Sequence, residues 1–442
     1  MVIPENVKIA LDLLNEQGYK AYIVGGCVRD GLLGIPVSDY DITTDALPSE
    51  IKKVFSDFTV HETGIKHGTL TVVSDGTPLE ITTFRIDGEY KDNRHPDSVT
   101  FTEKLENDVK RRDFTVNSIC YNPREGIVDL LGGKGDLEKN FLRTCGDASC
   151  RFREDSLRIL RALRFSAVYG FKIEEQTKEA IHNEKKLLLN VAKERICAEL
   201  KKLLCAKNAG NILREYKDVF EVIIPELSGC IGFDQHSKYH TMSVYDHMVS
   251  TLENVEERFE LRLAAFLHDI GKPNVFSLDE KGEGHFYGHE KESEEIVKKI
   301  VKNLKFDNVT CSKVTTLVKY HGLQIVNTKN TVKRWLFRLG EENFFDLIKI
   351  KKADNASHGI NVESRLCELS EIENMAREIL SAEECFRLGD LCVDGRYLIE
   401  KGFKEGKIIG DILNELLNLV IEGKIENSRE AVDEYLKKYG SH

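Results

Sequence analysis

The period of the hydrophobic pattern changes once along this chain, near residue 150, and that change limits the folds open to it. Before it, AYIVGG (21–26), YDITTD (40–45), GTLTVVSD (68–75) and LEITTFRI (79–86) are short, alternating and rich in Thr, Val and Ile. That is the period-two pattern of half-buried strands, and Asp75-Gly76 suits a turn between the last two. Residues 5–17 carry an amphipathic helical spacing. After residue 150 strand signals fade, and apolar residues recur at helical intervals through 177–206, 245–268, 291–304, 312–321 and 331–352. In 154–165, Leu157, Leu160 and Leu163 follow one side of an expected helix while Arg158, Arg161 and Arg164 follow another. The fold class implied is α+β, a small sheet with helices packed on it followed by an all-helical remainder. Divisions fall near 145, 225 and 360.

Composition narrows the function. The net charge of −11 opposes diffuse attraction to a polyanion, so a nucleic-acid binder of this kind must concentrate its basic residues. Lys110, Arg111 and Arg112 are consecutive, and residues 143–165 hold six arginines against three acids; taken alone, both read as solvated basic faces. The eleven cysteines are scattered without a CxxC pair, which points to reduced thiols, mostly in the core. No apolar run approaches the roughly 18 residues of a membrane span. The opening MVIPENVKIALDLLNE places acids inside a helical pattern, unlike a signal peptide. A cytoplasmic location without a membrane partner is the expectation, and nothing in the sequence sets an oligomeric state.

Two constellations carry chemistry. In the first, AYIV runs into Gly25 and Gly26, with Arg29 three residues on. Paired glycines after a buried strand let a ligand approach bare amides, and an arginine there can pair with phosphate oxygens. Asp39-Tyr40-Asp41 follows at the start of a strand, where i and i+2 side chains share a face. Two such carboxylates repel unless a cation lies between them, and hard oxygen ligands suit Mg²⁺.

GGCVRD followed by LLGIPVSDYD resembles the head-domain signature of the DNA polymerase β nucleotidyltransferase superfamily, specifically its class II tRNA nucleotidyltransferases and bacterial poly(A) polymerases. Four later segments resemble further family motifs in the family's order: RRDFTVNSICYN (111–122), GGKGDLEKNFLRTCG (132–146), REDSLRILRALRF (153–165) and the neck helix KERICAELKKLL (193–204). The resemblance covers residues 15–210 and implies a role for each matching residue. Asp39 and Asp41 would hold two Mg²⁺ ions, and Gly25, Gly26 and Arg29 would cradle a triphosphate. Asp113 would accept from a ribose 2′-hydroxyl, with Arg112 and Asn117 nearby. Asp155 and Arg158 would act as a protein template, the acid accepting from the amino group of cytosine or adenine and the arginine donating to ring acceptors. Arg161 would orient Asp155 or the base, and Arg164 joins the nucleotide-binding set. Without the resemblance, Asp155 and Arg158 are an ordinary i,i+3 ion pair worth about 0.2–0.5 kcal/mol.

The activity implied is building or repairing the 3′-CCA end of tRNA from CTP and ATP without a nucleic-acid template. HETGIKHGTLTVV (61–73) resembles the CCA-adding version over the poly(A) one. DGEYKDNRHPDSVTF (87–101) resembles the flexible loop that lets the pocket switch from CTP to ATP. A poly(A) polymerase and an enzyme that stops after two cytidines remain the alternatives.

The second constellation is His247, His268-Asp269 and Asp354, with His289 and His321 as extra candidates. The order H…HD…D resembles the HD phosphohydrolase superfamily, which implies a metal-dependent phosphatase or 2′,3′-cyclic phosphodiesterase. Imidazole and carboxylate together suit Mn²⁺, Fe, Ni²⁺ or Co²⁺. His236, His240 and His285 read as loop histidines. The organisation implied is a nucleotidyltransferase head (1–145), a helical neck and body binding nucleotide and RNA (146–225), an HD domain (226–360) and a helical tail that binds tRNA (361–442). Two readings from other classes stay beside it. In one the HD domain is the main activity and the head only binds RNA, which the intact Asp39 and Asp41 oppose. In the other the protein binds RNA without catalysis.

Overall fold

β-Branched residues build a mixed sheet in the first of two units, Met1–Pro225 and Glu226–His442. The structure, a computed structural model, describes residues 2–37, 39–90, 96–237, 242–358 and 362–437. In the first unit α1 (Glu5–Glu16) buries Val7, Ala10, Leu11 and Leu14 and leads into β1 (Ala21–Val24), which is buried throughout. Then come α2 (Gly26–Leu32), β2 (Asp41–Thr44), α3 (Pro48–Val54), β3 (Thr59–Gly64), β4 (Thr69–Ser74) and β5 (Thr77–Thr83). A separate ladder pairs β6 (Arg85–Asp87) with β7 (Val99–Phe101). After α4 (Leu105–Lys110), β8 (Cys120–Asn122) and β9 (Gly126–Val128) complete a sheet of order β3-β4-β5-β2-β1-β8-β9.

Central β2 lies antiparallel to β1 and parallel to β5. Its Ile42, Thr43 and Thr44 are buried, so the hydroxyls need partners. Thr43 Oγ1 donates to Asp108 at 3.0 Å, and Thr44 Oγ1 accepts from the Ala46 amide at 3.2 Å. Asp75 and Gly76 both take positive φ, 49° and 74°, in the turn expected between β4 and β5.

The rest of the first unit is α5 (Gly133–Glu138), the short parallel pair β10 (Phe141–Leu142) and β11 (Lys172–Ile173), and the helices α6 (Ala148–Glu154), α7 (Leu157–Tyr169), α8 (Glu175–Glu184), α9 (Lys193–Leu204), α10 (Ala209–Glu215) and α11 (Lys217–Ile223). The single helix expected over 154–165 is broken: Asp155 is extended (φ −134°, ψ 101°) between α6 and α7. Its carboxylate accepts from the Leu157 amide at 3.2 Å, a local side-chain bond that competes with helix continuation. The helical run 177–206 is likewise interrupted, by a 3₁₀ turn at Lys185–Asn190 and extended Val191.

The second unit is helical: α12 (Val244–Glu253), α13 (Phe259–Leu267), α14 (His289–Asn303), α15 (Asn308–Tyr320), α16 (Lys329–Leu339), α17 (Glu341–Ala356) and α18 (Val362–Ser381). The pattern over 245–268 is split between α12 and α13, and that over 331–352 by Gly340 at φ 74°. The C-terminal α19 (Gly395–Glu400), α20 (Lys407–Ile421) and α21 (Arg429–Leu436) close around their own core of Leu398, Ile412, Leu416, Leu417 and Val432. All eleven cysteines are free thiols. Among the described residues no helix is long and apolar enough to cross a membrane.

Candidate functional site

The sheet register brings the first acidic group together. Asp41, the first residue of β2, is level with Val24 at the end of β1 and with Glu80 of β5. Partners in a ladder project on the same face, so Glu80 stands beside Asp41, away from buried Leu79 and Ile81. Asp39 is exposed and lies just before β2 begins. Desolvation in this crowded corner raises the Asp41 carboxyl above its ordinary range; Glu80 and Asp39 push the same way, and the Arg112 guanidinium opposes them. Three acids on one edge with a single opposing arginine fit a divalent cation held by oxygen ligands.

Gly25 makes the corner accessible. Its φ of 88° favours glycine, and a Cβ there would lie 3.6 Å from Arg112 Nη1 and 3.8 Å from Asp41 Oδ2. The basic run is not a solvated face. Asp108, fully buried, accepts from Arg111 Nη2 at 2.7 Å and Arg112 Nη2 at 3.3 Å, and Lys110 alone reaches outward, to Glu106. Arg29 differs from the expectation that it faces a triphosphate. It is 5 % exposed and clasps Asp30, Asn117 Oδ1 at 2.6 Å and the Tyr169 hydroxyl at 2.6 Å. Packed against Phe165 and Tyr169, it braces the glycine turn from beneath.

Along α7 every arginine of the stripe is matched with an acid. Arg161, expected to orient Asp155 or the base, donates twice to Asp113 Oδ2, at 2.9 and 2.6 Å. Burial works against ionising Asp113, but Arg161 and the Asn117 amide outweigh it and hold the group at about 2. Arg164 pairs with Glu199 at 2.6 Å. Arg158 donates to Glu154 at 2.8 Å and to the carbonyls of Arg151 and Arg111 at 3.2 and 3.0 Å. These bonds use Nη1 twice and Nη2 once, which leaves Nε–H and one Nη2 proton as a side-on fork. Asp155 does not pair with Arg158; its oxygens accept from Arg195 Nη1 at 3.2 Å and Nη2 at 2.9 Å. Residues 91–95 of the expected flexible loop lie outside the described residues. A cavity of about 480 Å³ opens over Glu80, Thr69, Thr71 and Arg85, within the usual range for small-ligand sites.

The second unit gathers the other constellation from five segments. His247 comes from α12, His268-Asp269 from the turn after α13, His289 from the start of α14, His321 from the end of α15 and Asp354 from α17. Gly271 permits the closeness: a Cβ there would lie 2.5 Å from the Ser293 nitrogen of α14. His247 Nε2 lies 2.9 Å from Asp354 Oδ1, and His268 Nε2 lies 3.1 Å from Asp269 Oδ2. His289 and His321 each place Nε2 3.3 Å from Asp269 Oδ1. His358, a turn beyond Asp354, joins them at 3.3 Å from its Oδ1, a contact the sequence did not suggest.

In His268, His289 and His321, Nδ1 meets the carbonyl three residues back, at 2.8, 2.9 and 2.6 Å. A carbonyl only accepts, so Nδ1 carries a proton and Nε2 is the nitrogen turned inward. The Nε2 atoms of His289 and His321 then face each other at 3.2 Å, an arrangement that calls for a shared proton or a cation. Burial disfavours a charged His268, yet Asp269 and Asp354 overcome it and raise the group to about 10. A cavity of about 380 Å³ opens onto Asp269, His289, His321, Asp354, His358 and Lys272. Of the histidines expected in loops, His285 pairs with Asp279 at 3.2 Å and His236 takes a positive φ of 47°, while His240 lies outside the described residues.

Comparison with known proteins decides the family. Residues 21–143 match a Poly A polymerase head domain, 170–230 a probable RNA and SrmB-binding site of polymerase A, and 287–436 a putative tRNA nucleotidyltransferase domain 2. The CCA-adding enzyme of Lactobacillus delbrueckii subsp. bulgaricus is 33% identical over 435 residues, 96% of each chain. The chain belongs to the class II CCA-adding enzymes. It is thus a tRNA nucleotidyltransferase, and membership implies dependence on a divalent metal. The CCA-adding enzyme of Geobacillus thermodenitrificans is 49% identical over 200 residues, 45% of this chain and 49% of that one. The crystal structure of the Bacillus stearothermophilus CCA-adding enzyme in complex with CTP has a TM-score of 0.72 at 26% identity, covering 99% of this chain and 98% of that one. The Thermotoga maritima CCA-adding enzyme complexed with tRNA shares the fold, with a TM-score of 0.62 at 22% identity over 99% and 97% of the two chains. The three matched family descriptions name poly(A) polymerase and tRNA nucleotidyltransferase parts, and none names an HD domain.

Proposed function

We propose that the first unit adds C, C and A in turn to the 3′ end of tRNA from CTP and ATP, with its own side chains choosing the base. The observation that carries this is the placing of Asp41 beside Glu80, under the bare backbone of Gly25 and against Arg112. Asp39 and Asp41, with Glu80 adjoining, would hold Mg²⁺, which when bound favours loss of the proton from the attacking hydroxyl and neutralises the triphosphate. The tRNA 3′-oxygen bonds to the α-phosphorus, the bond to the β-phosphate oxygen breaks, and pyrophosphate leaves. The Gly25–Gly26 backbone gives the triphosphate close approach, and Arg112 supplies positive charge. Asp113 and Asn117 stand on the ribose side, favouring ribonucleotides. Asp155 accepts from the amino group of cytosine or adenine, and the Arg158 fork donates to ring acceptors; uracil and guanine would leave polar groups unpaired. Residues 1–145 supply the catalytic acids and 146–225 the base-reading wall.

The test supplies CTP and ATP, singly and together, to tRNA lacking CCA and sequences the ends. Addition of CCA, lost in Asp41→Ala, supports the proposal. Poly(A) tails would identify a poly(A) polymerase, and arrest after two cytidines a CC-adding enzyme.

A second reading concerns residues 226–360. Three imidazoles locked with Nε2 inward around Asp269, His247 and Asp354 fit a centre for one or two transition-metal ions of an HD phosphohydrolase. A bound divalent ion would displace the proton held on His268 and supply a nucleophilic hydroxide near neutral pH. Elemental analysis of the purified chain together with hydrolysis of a 2′,3′-cyclic nucleotide tests it, and Asp269→Ala should lose both. Residues 361–442 are assigned to tRNA.

A further inference from the structure

Asp155 sits in the break between α6 and α7, its amide donating to the Arg151 carbonyl at 3.3 Å and its carbonyl accepting from the Arg158 amide at 3.0 Å, and neither backbone bond fixes the rotation of its side chain. Its orientation must therefore come from side-chain partners, and Arg195 in the first turn of α9 is the strongest. Both terminal guanidinium nitrogens engage both carboxylate oxygens, Nη1 to Oδ1 at 3.2 Å and Nη2 to Oδ2 at 2.9 Å. Such a fork fixes the plane of the carboxylate as well as its position. The Leu157 amide takes a further lone pair of Oδ1 at 3.2 Å, so the open acceptor direction lies on Oδ2. Both partners are mostly covered, with side chains 24% and 19% exposed. One turn on, Glu199 presents the same face of α9 and holds Arg164 at 2.6 Å. Thus α9 backs the base-reading wall at two points.

We propose that Arg195 is a positioning residue for nucleotide choice: it holds the Asp155 carboxylate in the one orientation that accepts from the amino group of cytosine or adenine. This rests on the reading of Asp155 as the base-reading acid. A carboxylate free to rotate would meet uracil and guanine through water as readily as it meets the correct amino group. Discrimination would fall before catalysis does.

The experiment measures kcat and KM for CTP, UTP, ATP and GTP on tRNA lacking part or all of its CCA, using the full chain, Arg195→Met, Arg195→Lys and Asp155→Ala. Arg195→Met should reduce the CTP:UTP and ATP:GTP ratios of kcat/KM by about tenfold or more, chiefly through KM of the correct nucleotide. Arg195→Lys keeps the charge but not the fork, so it should retain the wild-type melting transition and lose discrimination severalfold. If Arg195→Met does not fold, Arg195→Lys decides. A wild-type ratio in Arg195→Lys, or an equal loss for all four nucleotides, would overturn the inference. Asp155→Ala separates the two readings: if it too keeps wild-type discrimination, the base-reading role of Asp155 fails, whereas if it alone loses discrimination, only the role of Arg195 does.

Discussion

Asp113 shows how much a residue's partner matters. The motif RRDFTVNSICYN marked it in the sequence, but the arginine that holds it is forty-eight positions away on α7, beyond the reach of any local pattern. Because its folded value of about 2 lies below the ordinary 3.8, its contribution to stability is present above pH 4. That contribution is lost as pH falls through 2. A shift of this size corresponds to about 2 kcal/mol. Asp113→Asn, which leaves Arg161 only the more distant Glu199 at 4.0 Å, should lower stability by about 3 kcal/mol at neutral pH. The gap between variant and parent in urea-unfolding curves should narrow as pH approaches 2; a gap constant with pH would contradict the assigned pair. Glu80 was not singled out although it was legible, since the alternation of LEITTFRI leaves it as the polar member between buried Leu79 and Ile81. Arg195 was not, because its contact with Asp155 spans forty residues.

Elements were read where their pattern was strong and missed where it was not. β1, β2, β4 and β5 alternate or are wholly apolar, and all four formed. β3 was not among the expected strands because TVHETG carries no fully buried side chain, as suits the edge of the sheet. The helical stretches were recovered in type but not in continuity: periodicity reports a face and says little of a change in direction, so the breaks at Asp155 and Gly340 passed unseen. One glycine carries more than a turn. A Cβ on Gly133, at the start of α5, would lie 2.0 Å from the carbonyl oxygen of Thr115 and 3.0 Å from Ile119 Cγ1. Thr115 begins the turn that carries Asn117, so this approach sets the position of Asn117, the residue proposed for the ribose side. Gly133→Ala should cost about 1–3 kcal/mol by overpacking and lower CTP incorporation. Thermal melting and incorporation measured together check this; an unchanged melting temperature would remove the argument.

For the whole molecule, the proposed reading gives the two units separate chemistries. Asp41→Ala should abolish nucleotide addition while leaving the metal content of the second unit intact, and Asp269→Ala should do the reverse. Elemental analysis beside the CTP assay distinguishes the pair, and loss of both properties in either variant would argue against independent centres. The paired stripe on α7 has a consequence for how a polyanion meets this chain. Arg158, Arg161 and Arg164 are each offset by Glu154, Asp113 or Glu199, and Arg195 by Asp155, in a protein whose net charge is −11. If this face is the proposed base-reading wall, a surface so neutralised would release few condensed counterions when a nucleotide settles on it, so its choice among bases would be insulated from ionic strength, while the hold on the long RNA strand would weaken as salt rises.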